Sequence, residues 1–272
     1  MVSDFIFDGM QLSDLGYIAI QQDRSDLVDV SAMKFETIKA ARSDINRRVS
    51  YTYESNYSTT FSIMKSSCDN PDDNYMNNDE ISELTRWLAR KQYKWFREID
   101  DNEENNDEIW YMVQNQVRKE YAGDKVCGLE ITVEANTPYG FTKETTFTSD
   151  GERYFSVAIH SDDEGYIYPS VQIVCGGAGD LVLHNENENR SMSIRNCSAD
   201  EVITIDGDTL QITSSIQDRD FTNDFNYVFP RFVNEYGKTT NEFEITLVPN
   251  GTSTYNNVDC KFKYREIRKV GF

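Results

Sequence analysis

Residues 165–183, GYIYPSVQIVCGGAGDLVL, decide the fold class of this chain. Three short apolar runs, at 166–168, 171–173 and 181–183, are separated by a proline and by a Gly-Gly pair. Runs of this length between such breakers are typical of β-strands joined by turns. The stretch has no apolar spacing of three or four residues, so it does not predict an amphipathic helix.

The same pattern continues through the second half of the chain. Further short strands, mostly 8–15 residues apart, are predicted at 157–159, 192–194, 203–205, 210–212, 243–247 and 258–264. Many short strands at such spacing predict a sandwich or a barrel. A breaker cluster at residues 137–140, TPYG, separates them from a first half that also shows helical periodicity. We therefore predict two domains, residues 1–139 and 140–272.

The first half begins with a predicted hairpin. Phe5-Ile6-Phe7 and Met10-Gln11-Leu12 have the composition of strands, and Asp8-Gly9 between them supplies the positive φ angles of a tight turn. Other strands of this half are predicted at 49–53, 61–63, 109–117 and 129–133. The polar residues 54–60 are expected to link the strands at 49–53 and 61–63 as a hairpin.

One helix is predicted in the first half. Its apolar face recurs at helical spacing and consists of Ile81, Leu84, Leu88, Trp95 and Ile99. Asn78 or Asp79 is the expected N-cap, because both side chains accept hydrogen bonds from the free N–H groups of a first turn. The run from Asp100 to Glu108 then holds six carboxylates and no basic residue, which favours a solvated loop.

Composition excludes several functional classes. The chain has 272 residues, with 27 Lys and Arg against 47 Asp and Glu, for a net charge of −20. Such a charge disfavours binding to phosphate backbones and to anionic membrane surfaces. No apolar run approaches the ~18 residues of a membrane span. Residues 1–4, MVSD, show neither the basic n-region nor the apolar h-region of a signal peptide, so we expect the protein to be synthesised and folded in a cytoplasm. The five widely spaced cysteines favour reduced thiols over a disulfide framework.

No motif predicts a catalytic, cofactor-binding or metal site. His160 and His184 are the only histidines, and we interpret both as half-buried strand residues. Gly237-Lys238-Thr239 imitates the end of a phosphate-binding loop, but Phe232 stands where the motif requires its first glycine. The acidic turns at 162–165 and 206–208 are short enough to be ordinary turns. Trp87, Trp95 and Trp110 are expected to serve the core rather than a sugar site.

The order of short motifs carries more information than any one of them. In the first half these are residues 5–10 with 13–17, Arg86-Trp87-Leu88, residues 109–113 and residues 137–140; in the second half they are residues 165–176, 202–206, 229–232 and 262–265. In this order, over almost the whole chain, the sequence resembles the distal tail protein family of long-tailed bacteriophages, the hub component of the tail tip. The family's Pro-Gly-x-Asn turn after residues 229–232 is not matched here.

The resemblance implies an N-terminal β-sandwich with one flanking helix and a C-terminal galectin-like β-sandwich. It implies a non-enzymatic protein of the virion tail tip, made in the bacterial host's cytoplasm. The N-terminal domains of six copies would form a homohexameric ring. No catalytic, cofactor-binding or metal-binding residues are expected. The implied partners are the tail tube protein, a hub or lysin protein and receptor-binding proteins, with cell-surface carbohydrate as a further candidate. DNA would only pass through the ring, and no part of the protein would insert into a membrane.

Two alternatives remain open at this stage. The chain could be a two-domain carbohydrate-binding protein, although such a protein needs neither the predicted helix nor self-assembly. The acidic run 100–108 could border the channel of a ring, where it would repel passing DNA, or it could be an outer surface.

Overall fold

The computed structural model describes residues 2–21, 33–39, 46–53, 56–66, 74–100, 108–249, 255 and 257–269. The chain divides into two compact units. One contains the residues up to Thr142 together with those from Arg268 onward, and the other is Lys143–Ile267. Strands predominate in both units, which confirms the mainly-β prediction. No helix among the described residues is long and apolar enough to cross a membrane.

The first unit is organised around one antiparallel sheet. Its strands are β1 Val2–Phe7, β2 Met10–Gln11, β3 Tyr17–Gln21, β4 Met33–Lys39, β5 Asn46–Tyr53, β6 Ser58–Lys65, β7 Lys94–Asp100, β8 Tyr111–Ala122, β9 Lys125–Ala135 and β10 Gly140–Phe141. Seven of them form a sheet in the order β2-β1-β7-β8-β9-β6-β3, whereas β4 and β5 pair with each other as a separate ribbon. The sheet curls over its core, because the rings of Phe5 on β1 and Phe61 on β6 lie 6.0 Å apart.

The predicted opening hairpin is confirmed. Phe7 of β1 pairs with Met10 of β2, and the turn residues Asp8 and Gly9 have φ angles of 50° and 80°. These angles are those of a tight two-residue turn, which the Asp-Gly pair adopts at low conformational cost.

Among the described residues of the first unit there is one α-helix, α1 Asn78–Leu88, and it covers the core. Its N-cap is Asn77, one residue before the expected position, and Glu80 completes a capping box with it. Trp87 stacks on Phe5 at 5.9 Å and donates a hydrogen bond from Nε1 to the Phe7 carbonyl at 3.1 Å. The helix is therefore fixed both by apolar packing and by a buried polar contact with β1.

The prediction that this helix extends to Ile99 is wrong. The helix ends at Leu88, and Trp95 and Ile99 belong to β7, which pairs with β1 and β8. Phe96 explains the outcome, because its buried ring packs between Phe5 at 5.5 Å and Phe61 at 6.1 Å. Sheet pairing and this burial outweigh the helical spacing of two apolar residues. Trp95 itself is half-buried on the strand.

The predicted hairpin link at residues 54–60 is also wrong. Strand β5 pairs with β4, and β6 begins at Ser58 and pairs with β3 and β9. The strand predicted at 109–117 begins at Tyr111 and continues to Ala122. Most of the acidic run lies outside the described residues, which include only its ends, Asp100 and Glu108.

The second unit is a β-sandwich. Its strands are β11 Thr145–Thr148, β12 Tyr154–Ala158, β13 Gly165–Ile167, β14 Ser170–Cys175, β15 Gly179–Asn185, β16 Arg190–Cys197, β17 Val202–Ile205, β18 Ile212–Ser214, β19 Phe232–Asn234, β20 Thr240–Val248, β21 Val258–Tyr264 and β22 Ile267–Arg268, the last lying at the boundary between the units. One sheet has the order β11-β21-β14-β17-β18, and the other has the order β12-β20-β15-β16. Phe243 of one sheet packs against Phe262 of the other, with ring centroids 5.4 Å apart.

Most strands predicted for this half are present. The exception is the start of the strand expected at 210–212, because β18 begins only at Ile212 and Leu210 has a φ of 53°. Strands β11 and β19 were not expected. The other strands could be predicted because one face of each strand enters the core. Along β20, for example, buried and exposed residues alternate.

Candidate assembly and binding surfaces

The two histidines lie in different surroundings. His160 is exposed just after β12, and its backbone N–H donates to the Glu266 carboxylate at 2.9 Å. His184 is half-buried on β15, with Nδ1 2.7 Å from Ser191 Oγ on the neighbouring strand. Its Nε2 is 3.5 Å from Glu186. Both histidines were expected to be half-buried on strands. This expectation is correct for His184 and wrong for His160.

The turn motifs serve the local backbone. Lys238 donates from its backbone N–H to the Glu235 carbonyl at 2.8 Å, and Gly237 has a φ of 80°, so Gly237-Lys238-Thr239 is a turn between β19 and β20. The Asp206 carboxylate accepts hydrogen bonds from the Thr209 backbone and hydroxyl at 2.7 and 2.8 Å, and these bonds lower its pKa. In the described part of the chain, no three His, Cys, Asp or Glu side chains are placed to hold a metal ion.

The β4–β5 ribbon carries three strongly exposed apolar side chains. Phe35 is 49% exposed, and Ile38 and Val49 are each 60% exposed. Val49 is the extra residue of a β-bulge, because Glu36 pairs with Ser50 while the next residue pairs with Arg48. A two-stranded ribbon is marginal in water by itself, and exposed apolar groups on it favour association. We interpret this ribbon as a contact surface.

Strand β3 is a second candidate contact surface in the same unit. It stands at the end of the seven-stranded sheet and pairs only with β6 among the described strands. Tyr17 and Ala19 point into the core, whereas Ile18 and Ile20 are exposed, and Met64 lies opposite Ile18 on β6. Outward isoleucines at the end of a sheet are suited to packing against another chain.

Two arginines of the second unit lie against tyrosine rings. The Arg231 guanidinium lies 3.5 Å from the centre of the Tyr166 ring, donates to Glu188 at 3.0 Å and reaches the Tyr168 hydroxyl at 3.3 Å. The Glu188 carboxylate raises the pKa of Arg231, so the guanidinium remains charged. Tyr166 is exposed and Arg231 is partly buried against its ring, and tyrosine and arginine are the residue types enriched in contact hot spots.

A similar cluster lies on the outer face of the four-stranded sheet. Arg153 is 4.0 Å from the Tyr255 ring and 5.1 Å from the Tyr154 ring, and its Nε donates to Glu244 at 2.8 Å. The bond from Arg153 lowers the pKa of Glu244. Glu244 pairs with His184 in the sheet register, so the cluster continues across the face. Neither cluster could be identified from the sequence, because Arg231 is 65 positions from Tyr166 and Arg153 is 102 positions from Tyr255.

Comparisons with known proteins agree with this architecture. Residues 1–137 match a family model described as a phage tail protein N-terminal domain, and residues 139–255 match one described as a phage tail C-terminal domain. No curated protein matches the chain. The crystal structure of the Dit protein of phage SPP1, described as a paradigm of the hub adsorption apparatus in phages infecting Gram-positive bacteria, aligns with 97% of this chain and 99% of its own, at a TM-score of 0.62 and 10% identity.

A second solved structure extends the agreement. A chain of the phage p2 baseplate, solved in its activated conformation with Sr, covers 97% of this chain and 98% of its own, at a TM-score of 0.51 and 9% identity. At these identities the likeness is one of fold. It confirms the expected resemblance to tail-hub proteins at that level, over both units.

Proposed function

Because this chain belongs to a family of phage tail proteins, we propose that it is the structural hub of a tail tip. Six copies form a ring that joins the tail tube to a hub or lysin protein and to receptor-binding proteins during host attachment. The protein is made in the bacterial host's cytoplasm and acts in the virion. The fold shared with the SPP1 hub protein and the p2 baseplate supports this proposal.

The apolar β4–β5 ribbon is the observation that carries the ring proposal. It belongs to the unit that matches the tail N-terminal domain, and the exposed Ile18 and Ile20 of β3 lie in that same unit. A head-to-tail contact in which one copy's ribbon meets the next copy would cover these apolar groups at every junction of a closed ring. The number six comes from the resemblance to the distal tail family.

Charge supports a passive channel. Each chain carries −20, so a ring of six carries about −120. Proteins bind DNA largely because their basic residues displace counterions from the phosphates. An acidic channel wall displaces none, so the DNA would pass through the channel without binding to it. The acidic run 100–108 is proposed to border this channel. An outer position for this run would leave the ring proposal intact.

We propose that the protein has no catalytic activity of its own. The positions that could have supplied chemistry instead stabilise turns and cross-strand contacts, as the Asp206 and His184 hydrogen bonds illustrate. The second unit is proposed to hold receptor-binding proteins. Carbohydrate binding is the second candidate function, and the Arg153, Tyr154 and Glu244 cluster favours it, because sugars bind to exposed aromatic rings flanked by charged hydrogen-bonding groups.

The experiment for this proposal is multi-angle light scattering on the purified full-length protein across a concentration series. We expect a species of six 31.5-kDa chains, either alone or once the tail tube protein and the hub protein are added. A monomer at every concentration, with both partners present, would contradict the proposal. Glycan-array binding by a persistently monomeric protein would favour the carbohydrate-binding alternative instead.

A further inference from the structure

A small cleft in the second unit is lined by two arginines and one glutamate. The charged lining residues are Arg190, at the start of β16, together with Glu188 and Arg231. The apolar lining includes Met192 and Phe229. The room inside the cleft is about 10 Å³, which is enough for one water-sized group, such as the end of a side chain.

The Arg190 side chain is unpaired. It is half-buried, and its Nε is enclosed without a hydrogen-bond partner among the described residues. Glu188 does not neutralise it, because both Glu188 oxygens accept hydrogen bonds from Arg231 Nε, at 3.1 and 3.0 Å. A guanidinium that is partly removed from water in this way lacks an acceptor, which a ligand would supply.

The cleft differs in charge from the rest of the protein. Two arginines and one glutamate leave a charge of +1 on its lining, whereas the whole chain carries −20. Charge complementarity therefore favours an anionic group as the ligand. A guanidinium is suited to a carboxylate in particular, because its N–H groups match the two carboxylate oxygens in spacing and plane.

The cleft is preformed, because the loop at residues 215–231 is fixed to β16. The Asn226 side chain accepts a hydrogen bond from the Ser193 N–H at 3.1 Å and donates to the Ser191 carbonyl at 2.9 Å. The next residue, Tyr227, has a φ of 58°, in the left-handed region that a tyrosine seldom adopts. These bonds hold the wall of the cleft in place before a ligand binds, which lowers the entropic cost of binding.

Two exposed tyrosines flank the cleft. Tyr227 directly precedes the wall residues Val228 and Phe229, and Tyr166 lies against Arg231. Tyrosine and arginine are enriched where protein partners make their strongest contacts. A protein surface would therefore cover the tyrosines while one of its side chains enters the cleft.

We propose that this cleft receives the carboxylate of an aspartate or glutamate side chain from a partner protein, with the Arg190 guanidinium as the donor. The volume of the cleft admits the end of one side chain, and its charge selects an anion. That the partner is a receptor-binding protein rests on the proposed function, whereas the anion site itself does not.

The test is methyl NMR of the full-length protein, labelled with ¹³C at its methionine methyl groups, whose signals remain narrow in a particle of ring size. Met192 lines the cleft and is the reporter, and Met112 of the first unit is the internal control. The probes are the peptides Ac-Gly-Asp-Gly-NH₂ and Ac-Gly-Asn-Gly-NH₂. We expect the aspartate peptide to shift the Met192 signal saturably, and the asparagine peptide to leave it unchanged.

Two variants locate the binding. Arg190→Gln should weaken binding of the aspartate peptide by about 10-fold or more. Arg195→Gln, which changes an exposed arginine of the same strand, is the matched control and should bind as the wild type does. An unshifted Met192 signal, equal shifts with both peptides, or unchanged affinity in Arg190→Gln would overturn the proposal.

Two further probes distinguish the sources of the anion. Tighter binding of glucuronate than of the aspartate peptide would assign the cleft to an acidic saccharide, and tighter binding of inorganic phosphate would assign it to a phosphate group. Either result would overturn the choice of a protein carboxylate. The wild-type comparison of the two peptides needs no variant, so poor folding of a variant cannot decide it, and ring mass tests the proposed function separately.

Discussion

Removing the apolar side chains of the β4–β5 ribbon should dissociate the ring without unfolding the chain. The variant carries Phe35→Ser, Ile38→Ser and Val49→Ser. These side chains are 49%, 60% and 60% exposed, so about half of each is available for burial. Phe35 and Ile38 are three residues apart on β4 and face opposite sides of the ribbon, so the neighbouring copy must enclose both of its faces. Full burial of such a side chain contributes about 1.5–3 kcal/mol, so half-burial of the three gives about 3 kcal/mol per junction. This corresponds to an association constant lower by about 10²-fold.

Sedimentation velocity across a concentration series measures this change directly. The variant should form rings only at about 100-fold higher concentration than wild type. The matched control is Tyr236→Ser, which removes an aromatic side chain that is 96% exposed in a turn of the other unit. Its assembly should follow the wild-type curve. If the ribbon variant assembles at wild-type concentrations, the ribbon is not in the ring contact and the reasoning fails.

Three further predictions concern the individual units. Trp87→Phe removes the hydrogen bond to the Phe7 carbonyl and should lower the free energy of unfolding of the first unit by about 1–3 kcal/mol in urea denaturation. Asp206→Ala should destabilise the second unit at pH 7 by up to about 1 kcal/mol. Because the folded-state pKa of Asp206 is lowered, its contribution is complete above the unfolded pKa of about 3.9 and is lost as pH falls further, so wild-type and variant melting curves should converge near pH 2. The double variant His160→Asn and His184→Gln should leave ring mass unchanged in light scattering, and loss of a hydrolase activity in it would contradict the scaffold proposal.

The strands of the second unit could be predicted because most of them alternate between apolar residues that enter the core and polar residues that face outward. In β20, Phe243, Ile245 and Leu247 enter the core while the intervening residues face outward, so the period of two is visible in the sequence. Strand β19 has only three residues and β11 is rich in threonine, so neither stands out from a loop.

The errors in the first unit arise where distant partners decide the structure. Trp95 and Ile99 match a helical period, but the pairing of β7 with β1 involves residues about ninety positions apart. Strand β5 was predicted, but its partner β4 precedes it, which the polar link at 54–60 does not indicate. Local patterns specify strands better than they specify partners.

The candidate surfaces were not predictable for the same reason. Exposure of Phe35 and Ile38 depends on which strands cover the ribbon, and apolar residues in a strand normally suggest a core position.

Negative-stain electron microscopy of the purified full-length protein, alone and with the tail tube and hub proteins, shows directly whether the protein forms rings. We expect closed rings with six-fold symmetry and a central channel, a geometry that covers the apolar ribbon of every copy. Only monomers, two-fold dimers or open filaments, in the presence of both partners, would contradict it.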